Sequence, residues 1–222
     1  MNISWILKQS FILYKKYYRR LLPWGFFLAV AAAIGNAFVM KIAQNETMMM
    51  FWGVIIGTIF TSWPQMILYL WCLHVIRNGD TPEDFQQGLS ALWGAYLATV
   101  FAFQIMIFSG LLLLVIPGFF FLGIFWFAPI LVLDLKHEEA WFSESFKQSA
   151  KLVKGFFWPT LTMLFLTAII ISVPVLVLKY INFKYADSLI SVWTAIAAPY
   201  IYLCQVQMYI SLNDLKKEQS AG

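Results

Sequence analysis

The sequence predicts an all-α, polytopic membrane protein, and three observations carry that prediction. From Leu92 to Leu133 there is no Asp, Glu, Lys, Arg or His, and only the turn pair Pro117-Gly118 interrupts the run. The hydrocarbon core of a bilayer takes about 20 apolar residues per helix, so this stretch reads as two spanning helices folded back as a hairpin. The whole chain is 61% hydrophobic and 12% charged, with a mean hydropathy of +0.75. Finally, the apolar runs lack the two-residue alternation of a barrel strand. Lipid offers no partner to a free backbone N–H or C=O, so such runs must be helical.

Six apolar segments are long enough to span, near residues 21–40, 49–76, 92–116, 119–135, 157–178 and 188–212. Residues 1–222 then form one membrane domain, with units at 1–76, 80–135 and 138–216 and no separate soluble domain. The first segment follows a 20-residue amphipathic stretch. Ala31–Ala37 loosely imitates a signal-peptidase site, but the long apolar run reads as an uncleaved first helix. The fourth segment, at 17 residues, is short, so the hairpin at Pro117-Gly118 is either fully spanning or re-entrant.

A pattern recurs three times. Leu7-Lys8-Gln9-Ser10 leads into span 1, Phe85-Gln86-Gln87-Gly88 into span 3, and Phe146-Lys147-Gln148-Ser149 into span 5. The second helix of each pair carries an internal proline: Pro64, Pro129 and Pro199. Three helix pairs, each preceded by a cytoplasmic amphipathic helix and each ending in a proline-kinked span, account for both observations. In the third amphipathic segment Phe142, Phe146, Ser149 and Val153 share one helical face. Acids sit early there (Glu138, Glu139, Glu144) and Lys147, Lys151 and Lys154 sit late, matching the helix dipole. In the first, Ile3, Ile6, Leu7, Phe11, Tyr14 and Tyr18 form an apolar stripe, with Lys8, Lys15, Lys16, Arg19 and Arg20 largely off it. The second opens with Thr81-Pro82-Glu83-Asp84, a helix-start signature.

Orientation follows from the basic residues. With the N-terminus inside, twelve of the 15 Lys and Arg residues fall on the cytoplasmic side, leaving only Lys41, Lys179 and Lys184 opposite. Both termini are therefore expected in the cytoplasm. The formal charge of +4 reflects this topology and contact with anionic lipid. A nucleic-acid footprint would need a basic face on a soluble domain, so no nucleic-acid partner is expected. The headgroup contacts expected are Lys8, Lys15, Lys16, Arg19, Arg20, Lys147, Lys151 and Lys154. The alternative is that these charges are merely topogenic.

No Asp, Glu, Lys or Arg lies in the middle of a span, which argues against a proton-coupled pump. A neutral polar lining remains open, built from Asn36, Gln65, Gln104 and Gln205. The competing role for each is an interhelical hydrogen bond that holds the bundle together. Cys72 and Cys204 read as packing residues. His74 and His137 lie on different segments with no matching ligands, so neither a metal nor another cofactor is expected. There is no phosphate loop and no nucleophile elbow.

Ile116-Pro117-Gly118-Phe119, then Phe127-Ala128-Pro129-Ile130-Leu131-Val132-Leu133-Asp134, then Ala140 and Ser145–Gly155, resemble the bacterial YciC-like inner-membrane proteins. That family is itself similar to the membrane region of some glycerophosphodiester phosphodiesterases. The match covers about 40 residues, and the six-span layout agrees over the whole chain. Where the family commonly has a basic residue before the Ala-Pro pair, this chain has Phe125-Trp126-Phe127. The resemblance implies a multi-pass protein of a bacterial inner membrane without an attached catalytic domain. The expected function is non-enzymatic: interaction with lipid in envelope homeostasis. The alternative is a small transporter or channel for a neutral solute, in either case with a possible homo-oligomer.

Overall fold

The computed structural model describes residues 2–42, 46–79, 89–113, 115–134, 142–181 and 186–221. Their regular structure is wholly helical, with no strand among the described residues. Among the described residues there are eight helices: α1 (Ile3–Ile42), α2 (Glu46–Asn78), α3 (Leu89–Leu113), α4 (Val115–Phe125), α5 (Ala128–Asp134), α6 (Phe142–Val153), α7 (Phe157–Tyr180) and α8 (Ala186–Ala221). Six stretches are long and apolar enough to cross a membrane: Ile3–Ile42, Ile55–Asn78, Leu92–Gly110, Ile116–Asp134, Phe157–Tyr180 and Ser188–Gln219. This is the architecture of a multi-pass membrane protein.

The amphipathic N-terminal stretch and the first span are one 40-residue helix, α1. At 1.5 Å per residue it rises about 60 Å, twice the thickness of the hydrocarbon core. Its buried stripe runs through Ile6, Ser10, Tyr17, Leu21, Gly25, Leu28, Gly35 and Val39. That stripe agrees in part with the one expected from apolar spacing: Ile6 is buried, and Ile3, Leu7 and Tyr14 pack against the core. Phe11 and Tyr18 are exposed, while the small polar Ser10 is buried. The inward face is set by packing against α2 and α8, and small residues such as Ser10, Gly25 and Gly35 permit close approach there. A Cβ on Gly25 would lie 2.2 Å from the carbonyl oxygen of Ala195 and 2.7 Å from Pro199 Cγ, so α1 and α8 touch backbone to backbone.

The hairpin is also built differently from its expected form. α4 starts at Val115, so Pro117 and Gly118 lie in its first turn and are not themselves the reversal. Proline is tolerated there because a first-turn N–H has no intrahelical partner. Gly118 lets α4 approach α3, and a Cβ on Gly110 would sit 2.8 Å from Gly118 Cα.

The three prolines do not behave alike. Pro64 and Pro199 lie inside the continuous helices α2 and α8. At Pro129 the helix breaks: α4 ends at Phe125, a turn occupies Trp126 and Phe127, and α5 begins at Ala128. The amides of Ile130 and Leu131 both bond back to the carbonyl of Phe127, at 3.1 and 2.8 Å. An interrupted backbone at membrane depth is tolerated only where protein encloses it. Here it is enclosed: Phe127, Ala128, Ile130 and Val132 are buried completely or nearly so. The second amphipathic segment, around Gln87, lies outside the described residues.

The core runs along the contacts of α2, α5 and α8, with Met66, Leu68, Cys72, Ile130, Val132, Leu203, Val206 and Leu212 at its centre. Both cysteines are free and buried. Phe165, Ile169, Val173, Leu176 and Tyr180 on α7 and Phe26, Phe38 and Met40 on α1 are exposed, an apolar exterior that a bilayer would cover.

Candidate functional site

The most organised polar cluster closes the end of the bundle where α2, α5 and the C-terminal part of α8 meet. Arg77 is the penultimate residue of α2 and Asp134 the last of α5. The Arg77 guanidinium donates from Nη1 to Asp134 Oδ1 and from Nη2 to Oδ2, the second contact at 2.7 Å. Tyr209 of α8 donates its hydroxyl to the same Oδ2 at 2.5 Å. Bidentate Arg–carboxylate geometry is among the stronger polar contacts available to a protein. Asp134 is also sequestered, with its side chain only 13% exposed against 43% for Arg77. The node ties three spans together at one depth. A cavity of about 350 Å³ lies beside it, with His74 and Asn78 among its walls.

α6 docks beside this node. Ser145, Phe146, Ser149, Leu152 and Val153 are buried, and Lys147, Lys151 and Lys154 are exposed. The docking has a definite anchor: Ser149 Oγ donates to the carbonyl of Ile124 at 2.8 Å. In an unbroken helix that carbonyl would accept from the amide of residue 128, so α6 satisfies an acceptor that the break leaves open. The expected apolar face of this segment is therefore a bundle-facing one, at least through Phe146, Ser149 and Val153. Lys147 faces Glu144 at 3.9 Å. Lys216 of α8 reaches across to the carbonyl of Lys154 at 2.9 Å.

The basic residues of α1 are exposed as well: Lys8, Lys15, Lys16, Arg19 and Arg20. Lys16 lies over the ring of Tyr17, 4.8 Å from its centroid, and Arg19 Nε donates to Tyr18 at 3.1 Å. Tyr17 donates to the carbonyl of Gly79 at 2.5 Å, which brings this part of α1 to the same end of the bundle as Arg77.

The neutral polar residues do not assemble into one lining. Asn36 is exposed on α1. Gln104 accepts from Thr58 at 2.5 Å across α2 and α3, and Trp93 donates to Ser62 at 3.0 Å across the same pair. Gln65 accepts from Tyr96 at 3.4 Å, and Gln205 accepts from Tyr69 at 2.5 Å. The Tyr69 ring stacks edge-on against Tyr202, with centroids 4.5 Å apart, and lies 6.3 Å from Tyr96. Gln65 and Gln205 are thus joined through buried tyrosines, while Gln104 sits apart with Thr58. Most of these groups act as interhelical ties. These tyrosines were not singled out from the sequence; their signal is a Tyr inside an apolar span, where a buried hydroxyl needs a partner.

Gln205 has a second aspect. It lines a cavity of about 280 Å³ whose other walls include Tyr69, Phe103, Trp126, Pro129 and Thr167. This cavity abuts the helix break. Broken spans beside a cavity are where membrane proteins commonly place ligand sites, because only there can irregular backbone be accommodated. Among the described residues no three His, Cys, Asp or Glu side chains come together as metal ligands would. No protein-family model, curated protein or solved structure matches this chain.

Proposed function

We propose that this is a non-enzymatic integral protein of a bacterial inner membrane that binds lipid and contributes to envelope homeostasis. In this reading both termini face the cytoplasm, and the amphipathic stretches of three related units lie at the inner leaflet. The carrying observation is the arrangement of α6 and the residue just after it: the apolar face is committed to the bundle, and Lys147, Lys151 and Lys154 are exposed. Helix docking alone does not require three exposed lysines. Anionic headgroups supply what such a surface attracts, at about 1 kcal/mol for each basic residue near the leaflet. Lys8, Lys15, Lys16, Arg19 and Arg20 extend the same character along α1. The resemblance to YciC-like proteins agrees with this reading. A neutral-solute channel draws less support, because Gln65 and Gln104 are engaged between α2 and α3.

The test is lipid selectivity. In reconstituted membranes, spin-labelled phosphatidylglycerol should be enriched around the protein relative to spin-labelled phosphatidylcholine. The preference should weaken with added salt, since exposed charges are screened over about 8–10 Å at physiological ionic strength. Changing Lys147, Lys151 and Lys154 together to Glu should remove most of it. A variant with undiminished preference would refute the reading.

A further inference from the structure

We infer that the cavity at the break of the fourth span holds the acyl chain of a neutral glycerolipid, with the ester carbonyl bonded by the side-chain amide of Gln205. This rests on the lipid-binding reading but uses different residues from the basic surface. The walls are mostly apolar: Phe103, Trp126, Pro129 and neighbouring residues of α7 and α8. Ala168, on α7, lines the cavity and is exposed, so the space opens sideways from the bundle. At about 280 Å³ it lies near the lower end of ligand-site volumes. Such a space suits one chain segment better than a whole lipid.

The polar chemistry selects the occupant. Tyr69 is buried, and its hydroxyl donates to Gln205 Oε1, its one hydrogen-bond partner among the described residues. That fixes the amide orientation and turns the Gln205 NH₂ away from Tyr69. Neither that NH₂ nor the indole N–H of Trp126 has a partner among the described residues, and both side chains line the cavity. The Thr167 hydroxyl is already engaged with the carbonyls of Met163 and Leu164, at 3.1 and 2.9 Å. The site therefore offers donors and asks for an acceptor. An ester carbonyl at the head of an apolar chain meets both demands.

A carboxylate or phosphate does not fit. Among the described residues no Lys, Arg or His lines the cavity. One helical turn further along α8, Tyr209 bonds Asp134, which is already paired with Arg77. An anion entering beside Gln205 would be desolvated without a cation to meet it, a cost of several kcal/mol.

The experiment uses the full chain in nanodiscs, at high salt, with a monoacylglycerol carrying a diazirine in its acyl chain. Photolabel should map to peptides containing Phe103, Leu122 or Leu164–Ile171. Unlabelled monoacylglycerol should compete, and the corresponding fatty-acid carboxylate should not. Gln205→Leu should weaken labelling about threefold to tenfold, as expected for one lost hydrogen bond. Ala168→Trp fills the opening from an exposed position and should abolish it. Competition by the carboxylate as strong as by the ester, or labelling unchanged in Gln205→Leu or Ala168→Trp, would overturn the inference. Changing Lys147, Lys151 and Lys154 to Glu should leave this labelling intact. Loss of cavity labelling with headgroup preference retained therefore refutes the cavity alone, and the converse result refutes only the basic surface.

Discussion

Ser149 of α6 donates to the carbonyl of Ile124 in α4, at 2.8 Å, where the fourth span is interrupted. The contact explains two features together. A span broken ahead of Pro129 leaves acceptors without helical donors, and an amphipathic helix with a small hydroxyl in its buried face supplies one. Ser149→Ala should destabilise the protein by about 1–3 kcal/mol, the usual cost of leaving a buried acceptor unmet. Ser149→Thr, which keeps the hydroxyl, should cost less. Unfolding midpoints in a mild detergent would separate the two.

Arg77 and Asp134 should be coupled, since each contributes two atoms to the same bidentate contact. Removing either to Ala is expected to cost about 1.5–3 kcal/mol, the range for hydrogen bonds to charged groups. The Asp134→Ala loss should be the larger, because Asp134 also accepts from Tyr209. A double-mutant cycle should give a clear interaction energy. Additive losses would mean that the pair does not join α2 to α5 energetically.

Gly25 sits at a close approach of α1 and α8. Gly25→Ala would place a methyl 2.2 Å from the Ala195 carbonyl oxygen, so one helix must shift. Overpacking of this kind costs about 1–3 kcal/mol. Gly25→Leu should be worse still, measured as lost thermal stability. By contrast, Gly53→Ala meets nothing within 4 Å and serves as the control.

Topology has its own check. Reporter fusions after Gln44 and after Gly222 should lie on opposite sides, with the C-terminal fusion cytoplasmic. Two fusions on one side would contradict six crossings.

What the sequence made legible was whatever depends on composition over many residues. The six apolar stretches are found close to their expected places because about 20 apolar residues have few alternatives to a spanning helix. The end of the bundle carrying Arg77, Asp134 and Lys154 was visible in the distribution of charge. Less visible was anything decided by a single close approach. Ser10 in place of Phe11 on the buried stripe, Gly25 against Ala195, and Gly110 against Gly118 depend on which helices are neighbours. One-dimensional spacing does not report that. Three internal prolines looked equivalent by position, yet only Pro129 coincides with a break, because α6 is at hand there to satisfy a freed carbonyl. Of the expected polar residues, Gln205 lines the cavity at the break. Its distinction comes from Tyr69, which lies 136 residues away in the chain.

In the proposed function, the basic end of the bundle selects anionic lipid. Its most direct test is the lipid retained when the protein is released from nanodiscs of mixed composition and weighed intact by native mass spectrometry. From an equimolar mixture of phosphatidylglycerol and phosphatidylethanolamine, the wild-type protein should retain phosphatidylglycerol in clear excess. The Lys147, Lys151 and Lys154 to Glu variant should carry the two lipids near their bulk ratio. Retention at the bulk ratio by the wild type would refute selection of anionic lipid.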